Sequence, residues 1–490
     1  MSVSSTSPAA VSSLSAPVVN PTLAQFVDQP PTTDLPYHCQ PVLGLIGMGE
    51  MGRMYAKALA TAGWQRIHVC DLPENEARVR EDMKEFPIVT VHRDGHGVAR
   101  TSDWLLYSVE AAHISSVVKQ FGPSTKLGAI VSGQTSVKAP EQLAFETYLP
   151  RDALIASVHS LHGPSVSSVG QPLVIIPHRA PEWAARVVEA ILAPLRSRHI
   201  RMSYAQHDMV TANTQAVTHA AFLSMGTAWA SQRAYPWEGE AGLFVGGIEI
   251  VKVNIAIRIY SNKWHVYAGL AILNPVAREQ IEQFAKSATE LFTLMISGAT
   301  NALRQRVLKA RDAVFGAAEA RKVNKSITPN FVLTFMARSK VRLLREDILD
   351  QFQLGGPRTA GMKEAPANSH LSLLAMVDCW AALGINPFAD LEVAATPVFR
   401  LWIGIAQTLF LNEATLERAV VAACADDQYR GNDLEFVVAA RGWAQCISHG
   451  SFELYRRRFE DAASFFEPRF AEAAALNTRM ITAVSVVDGF

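Results

Sequence analysis

The chain has 490 residues, 49% hydrophobic and 18% charged, with 45 Lys and Arg balanced by 45 Asp and Glu. A formal net charge of +0 gives no electrostatic case for nucleic acid or an anionic membrane surface as a partner. Five scattered cysteines without C-x-x-C spacing argue against a disulfide framework or a zinc site and read as reduced thiols of a cytoplasmic protein.

The length suits two or three domains. Residues 1–38 are rich in Ser, Pro, Thr and Val and hold no basic residue, Arg53 being the first in the chain. Neither a secretory signal nor a mitochondrial presequence fits, and residues 1–40 are expected to be a disordered or loosely held arm. The most apolar stretches downstream, 371–384 and 393–411, are interrupted by Asp378 and by Pro397 and Arg400, so neither reads as a membrane span.

Residues 42–46 form an apolar strand pattern that runs into Gly47-x-Gly49-x-x-Gly52, and a helical stripe follows through Met51, Met54, Tyr55, Ala58 and Leu59. Gly47 allows the tight turn, Gly49 lets backbone approach a pyrophosphate, and Gly52 lets the helix lie close on the strand. Amides at the helix start, around Met48, Glu50 and Met51, then face the phosphates. A second strand, 67–70, ends in Asp71, the usual acceptor for a ribose 2′-hydroxyl, which favours NAD. A 2′-phosphate there would cost about 1–4 kcal/mol unless a cation intervenes or the carboxylate turns away.

Further strand patterns at 88–91, 104–108, 129–132 and 154–158 alternate with helical segments. The fold class is therefore α/β: a Rossmann-type doubly wound sheet over 41–202. Ligands bind beyond the carboxyl ends of such strands. That places three loops at the site: Ser108-Val109-Glu110, "GQTSVK" from Gly133, and "HSLHGP", which carries His159 and His162. Two histidines without a third ligand at recognisable spacing do not make a metal site.

From about Ser203 strand patterns give way to helices, so an all-α domain spans 203–490. "THAAFLSMGTAWA" from Thr218 echoes "SHLSLLAMVDCWA" from Ser369, with His219/His370, Met225/Met376 and Trp229/Trp380 in register. Either Ala-rich helices coincide, or a helical unit is duplicated over about 203–320 and 360–490, so that the protein is a homodimer or a pseudo-dimeric monomer.

Taken together, "GLIGMGEMG", "YSVEA", "GQTSVK", "VHSLHGP", "TQAVTHAAFLSMG", "VKVNIAIRIYSNKWHVYAGLAI" and "NSHLSLLA" resemble the fungal NADP-dependent prephenate dehydrogenases from residue 41 onward. The resemblance implies oxidative decarboxylation of prephenate to 4-hydroxyphenylpyruvate on the route to tyrosine, with NADP as cofactor, against the lean to NAD from Asp71. It implies His159 as the base, Ser136 orienting the ring or the substrate hydroxyl, and His219 and Arg258 binding substrate. Arg258 is placed by its position nine residues before Tyr267-Ala268. His162 stands where relatives have a small or apolar residue, and its contact with substrate stays open. Two other readings are a β-hydroxyacid dehydrogenase, whose helical lysine is absent from "TANTQAVTHAAF", and a nucleotide-sensing protein without chemistry.

Overall fold

The computed structural model describes residues 20–164, 166–238, 247–316, 343–344, 352, 354, 368–394 and 396–486. Eight strands form one sheet: β1 (Leu43–Ile46), β2 (Ile67–Cys70), β3 (Val89–Val91), β4 (Trp104–Tyr107), β5 (Ile130–Gly133), β6 (Leu154–Ser160), β7 (Pro172–Arg179) and β8 (Arg198–Arg201). Their order is β3-β2-β1-β4-β5-β6-β7-β8. The first six run parallel, and β1, β4 and β5 are buried throughout, as strands covered by helices on both faces must be.

Two strands fall outside the sequence expectation. β7 pairs antiparallel with β6 from Ile155 to Ser160, and β8 runs parallel to β7. This pairing carries β6 two residues past its expected end at 158. His159 is therefore a strand residue whose ring is fixed by the pleat, not a loop residue following the strand.

The expected loose arm is also corrected for residues 20–40; residues 1–19 lie outside the described residues. Leu23 and Phe26 are buried in the same core as Leu43 and Trp64. Asn20 donates to Asp103 at 2.8 Å, and Gln40 bonds the backbone of Thr33 and Leu35. Polar composition suggests disorder, but two well-placed apolar side chains and buried amides suffice to seat the segment.

β8 ends at Arg201, and Ser203 begins the helical region with a capping box closed by Gln206. Helix Tyr204–Thr211 passes through a π turn, Ala212–Ala216, into helix Val217–Gln232. Helices Gly247–Tyr260, His265–Leu273, Pro275–Ile296 and Thr300–Phe315 follow. After a stretch mostly outside the described residues come helices Leu371–Leu383, Pro397–Phe410, Glu413–Ala425, Arg430–Ser448 and Phe452–Phe466. One continuous apolar core joins both sets. Pro275–Ile296 packs on Leu371–Leu383, Arg430–Ser448 packs on Val217–Gln232, and the two long helices pack on each other. Among the described residues no single helix is long and apolar enough to cross a membrane.

Candidate active site

The glycine turn has the geometry its spacing predicts. Gly47 has φ +99, and a Cβ there would meet the Ser108 carbonyl oxygen at 2.3 Å, with Val109 also close. A Cβ on Gly52 would meet the Gly47 oxygen at 2.2 Å, so the helix start and the strand end touch through bare backbone. Over Gly49 nothing lies within 4 Å. Helix Glu50–Ala62 begins here with no side chain capping it, leaving its first amides free. Open space above uncapped amides is what a pyrophosphate requires, so a dinucleotide fits. Met48 is buried, Met51 half-buried and Glu50 exposed. Ser108 takes a hydrogen bond from Gln134, tying the β4 and β5 loops.

Asp71 does not project into the ribose position. Its Oδ2 accepts from the Met48 amide at 2.5 Å, and its Oδ1 accepts from the Leu72 amide at 2.7 Å and from Asn75 at 2.9 Å. With both oxygens engaged by the protein, the carboxylate serves the turn. The preference for NAD read from its position loses its basis, and a 2′-phosphate meets no carboxylate aimed at it.

His159 is 9% exposed on β6. Its Nδ1 lies 2.7 Å from Nε2 of His207, and His207 Nδ1 lies 2.9 Å from Asp208 Oδ1. Asp208 accepts the Lys138 and Ala139 amides at 2.7 and 2.8 Å, the first amides of helix Lys138–Tyr148. Beneath it, the fully buried Lys138 ammonium donates to Glu141 and to the Gly133 and Val158 carbonyls, each at 2.9 Å. Ser157 donates to Glu141 at 2.6 Å and lies 2.7 Å from the Tyr204 hydroxyl. Burial, and next the neighbouring His207 and Lys138, hold the His159 imidazole well below its ordinary range. Burial and Lys138 do the same to His207. Both rings are neutral near pH 7, and His159 Nε2 has no hydrogen bond among the described residues.

Ser136 is half-buried in the loop that begins this helix, but the partner on the His159 ring is His207. His162 turns back on itself, Nδ1 lying 3.0 Å from the Gly163 carbonyl, while its Nε2 is buried without a partner. The adjacent histidines thus part: one in the strand, one in the turn.

His219 packs edge-on against Tyr267 with ring centroids 4.8 Å apart. Burial lowers it to about 4, and its Nδ1 is buried without a hydrogen-bond partner. The Arg258 charge bears on the same tyrosine, and no carboxylate pairs with Arg258 among the described residues. Lys263 reaches Glu50 at 3.5 Å and His265 reaches Glu110 at 3.1 Å. These contacts bring the Arg258–Tyr267 segment over the glycine turn and the β4 loop. The structure thus assembles two clusters, His159 with His207 and Asp208, and His219 with Tyr267 and Arg258.

Sequence reading missed His207, Asp208, Lys138 and Glu141. A signal existed for each: a His-Asp pair inside the first turns of a helix, and Lys138-x-x-Glu141 as an i,i+3 pair at the foot of a strand loop.

The comparisons with known proteins fit this geometry. Residues 216–486 match the family model of a 6-phosphogluconate dehydrogenase C-terminal domain, and residues 42–132 match that of a coenzyme F420-dependent NADP oxidoreductase. The chain is 46% identical over 441 residues to a probable prephenate dehydrogenase [NADP(+)] of Schizosaccharomyces pombe, spanning 90% of this chain and 96% of that one. It is likewise 46% identical over 450 residues to the prephenate dehydrogenase [NADP(+)] of Saccharomyces cerevisiae, spanning 90% and 94%. Among solved structures, a prephenate dehydrogenase of Aquifex aeolicus aligns with a TM-score of 0.44 at 18% identity, covering 54% of this chain and 95% of that one. On the strength of identity across nine-tenths of its length, this chain belongs to the family of NADP(+)-dependent prephenate dehydrogenases.

Proposed function

We propose that this chain converts prephenate to 4-hydroxyphenylpyruvate and carbon dioxide with NADP(+) as oxidant, in tyrosine biosynthesis. The observation that carries this reading is a neutral His159 whose Nε2 is free, on the carboxyl edge of the sheet that holds the glycine turn. When bound, NADP(+) takes the hydride from C4 of the substrate.

His159 Nε2 removes the proton of the 4-hydroxyl as that hydride leaves, a contribution of about 10²–10⁴-fold. The new carbonyl is conjugated with the ring, so the C–CO2 electron pair flows toward it, carbon dioxide departs and the ring becomes aromatic. Arg258, lacking an ion partner, grips a substrate carboxylate through its planar fork. His219 supplies a polar nitrogen already stripped of water. Ser136 orients the 4-hydroxyl, and His162 closes the turn above it.

The test is to supply prephenate with NADP(+) or NAD(+) and follow both reduced cofactor and 4-hydroxyphenylpyruvate. NADP(+) is expected to be the better oxidant, with one product per hydride; cofactor binding without turnover would favour a nucleotide sensor.

The second helical unit stands in for a second subunit. The crossed packing of Pro275–Ile296 on Leu371–Leu383 and of Arg430–Ser448 on Val217–Gln232 supports this, because a twofold axis exchanges those pairs. His370, the counterpart of His219, is closed off by an inward cluster: its Nδ1 lies 2.9 Å from Glu249, which takes Lys252 at 2.7 Å. One chain then holds one working site.

A further inference from the structure

The chain of bonds behind His159 has a direction. Asp208 accepts backbone amides on both oxygens, from Lys138 on Oδ1 and from Ala139 on Oδ2, so it is held as a carboxylate with nothing to donate. The His207 nitrogen 2.9 Å from Oδ1 must therefore carry a proton. A neutral ring carries only one, so His207 Nε2 is bare and accepts. Opposite it at 2.7 Å, His159 Nδ1 must then be the donor. What remains on His159 is a lone pair on Nε2.

We propose that His207 and Asp208 are positioning residues that lock His159 in its Nδ1–H tautomer and so make Nε2 the proton acceptor. This rests on the reading of His159 as base and extends it two residues into the helical domain. In the reaction the proton from the 4-hydroxyl forms a bond to Nε2, and the Nδ1–H bond stays in place. The imidazolium is steadied through His207 by the Asp208 carboxylate, with no second proton transfer. Because Asp208 also caps helix Lys138–Tyr148, the same carboxylate fixes the loop that carries Ser136 relative to the base.

The test begins with the unmodified full chain labelled with ¹⁵N-histidine, the His159 resonances being assigned by their loss in His159→Asn. The expected result near pH 7 is a protonated Nδ1 and a bare Nε2 on His159; a protonated Nε2 overturns the proposal without any variant having to fold. Asp208→Asn turns an amide donor toward His207 and reverses both rings. The same exchange in hydrolase triads lowers kcat about 10⁴-fold. Here kcat is expected to fall at least 10²-fold, on the scale of general-base catalysis, with KM for prephenate and NADP(+) little changed. His207→Phe should behave alike, whereas His207→Gln, whose carbonyl accepts from Nδ1–H, should recover much of the loss. Full kcat in both Asp208→Asn and His207→Phe would sink the positioning role. If His159→Asn itself keeps full kcat, it is the base assignment that fails, and the tautomer is still read directly.

Discussion

A buried imidazole used as a base has to be kept from protonating too early. His159 is kept neutral chiefly by exclusion of water, with His207 and Lys138 adding repulsion. The sequence alone suggests a loss of activity through the ordinary histidine range; the lowered value moves the acid limb of kcat/KM below pH 6.5. A limb at or above 6.5 in the free enzyme contradicts the buried geometry. His219 makes the matching prediction for stability. Its folded value, about 4, lies below its unfolded value, so the unfolded chain binds the proton first as pH falls. The contribution is present above about 6.5 and is lost progressively toward 4. The thermal midpoint of His219→Gln should therefore fall less than that of the unmodified chain over that window; parallel curves contradict it. Arg258→Ala should weaken prephenate binding by roughly 2–5 kcal/mol, read as a raised KM, while an unchanged KM makes Arg258 structural. His159, His219 and Arg258 were legible because each sits in a distinctive local string. Asp208 and Lys138 were not, because their meaning lies in contacts 70 and 20 residues away, to each other and to Val158.

At the level of elements, the link between Asp71 and the Met48 amide ties the end of β2 to the turn after β1. Asp71→Ala leaves a part-buried amide unpaired, a cost of about 1–3 kcal/mol. KM should rise for NADP(+) and NAD(+) together. A rise for NAD(+) alone would restore Asp71 to the ribose. Position after the second strand was readable, but the direction of a short side chain was not, since it depends on which amides the turn presents. The first six strands were legible for the complementary reason: each is a short, continuous apolar run bounded by turn residues. β7 was passed over although "PLVIIP" is such a run, because the expectation ended at the histidine turn. β8, "RHIR", lies at the sheet edge with no apolar signal at all.

Across the whole molecule, crossed helix packing inside one chain replaces what would otherwise be an interface between two. An interface built of such a core does not dissociate on dilution. Light scattering should report a mass near 53.4 kDa, with specific activity independent of concentration. Twice that mass together with activity lost on dilution contradicts a self-sufficient chain. The echo between His219 and His370 was visible in the sequence, but whether it meant symmetry depended on packing that a linear pattern does not contain. The second helical unit also shows why the echo is incomplete: around His370, Glu249, Lys252 and Asp433 form a closed polar cluster instead of an open pocket.

The most direct measurement compares purified wild-type chain with His159→Asn, following reduced-cofactor absorbance after prephenate is added to NADP(+)-loaded protein. The account predicts prephenate-dependent NADPH formation in the wild type. In the variant it predicts a kcat lower by about 10²–10⁴-fold, with prephenate affinity nearly unchanged. No NADPH from the wild type, or equal kcat in both proteins, would contradict it.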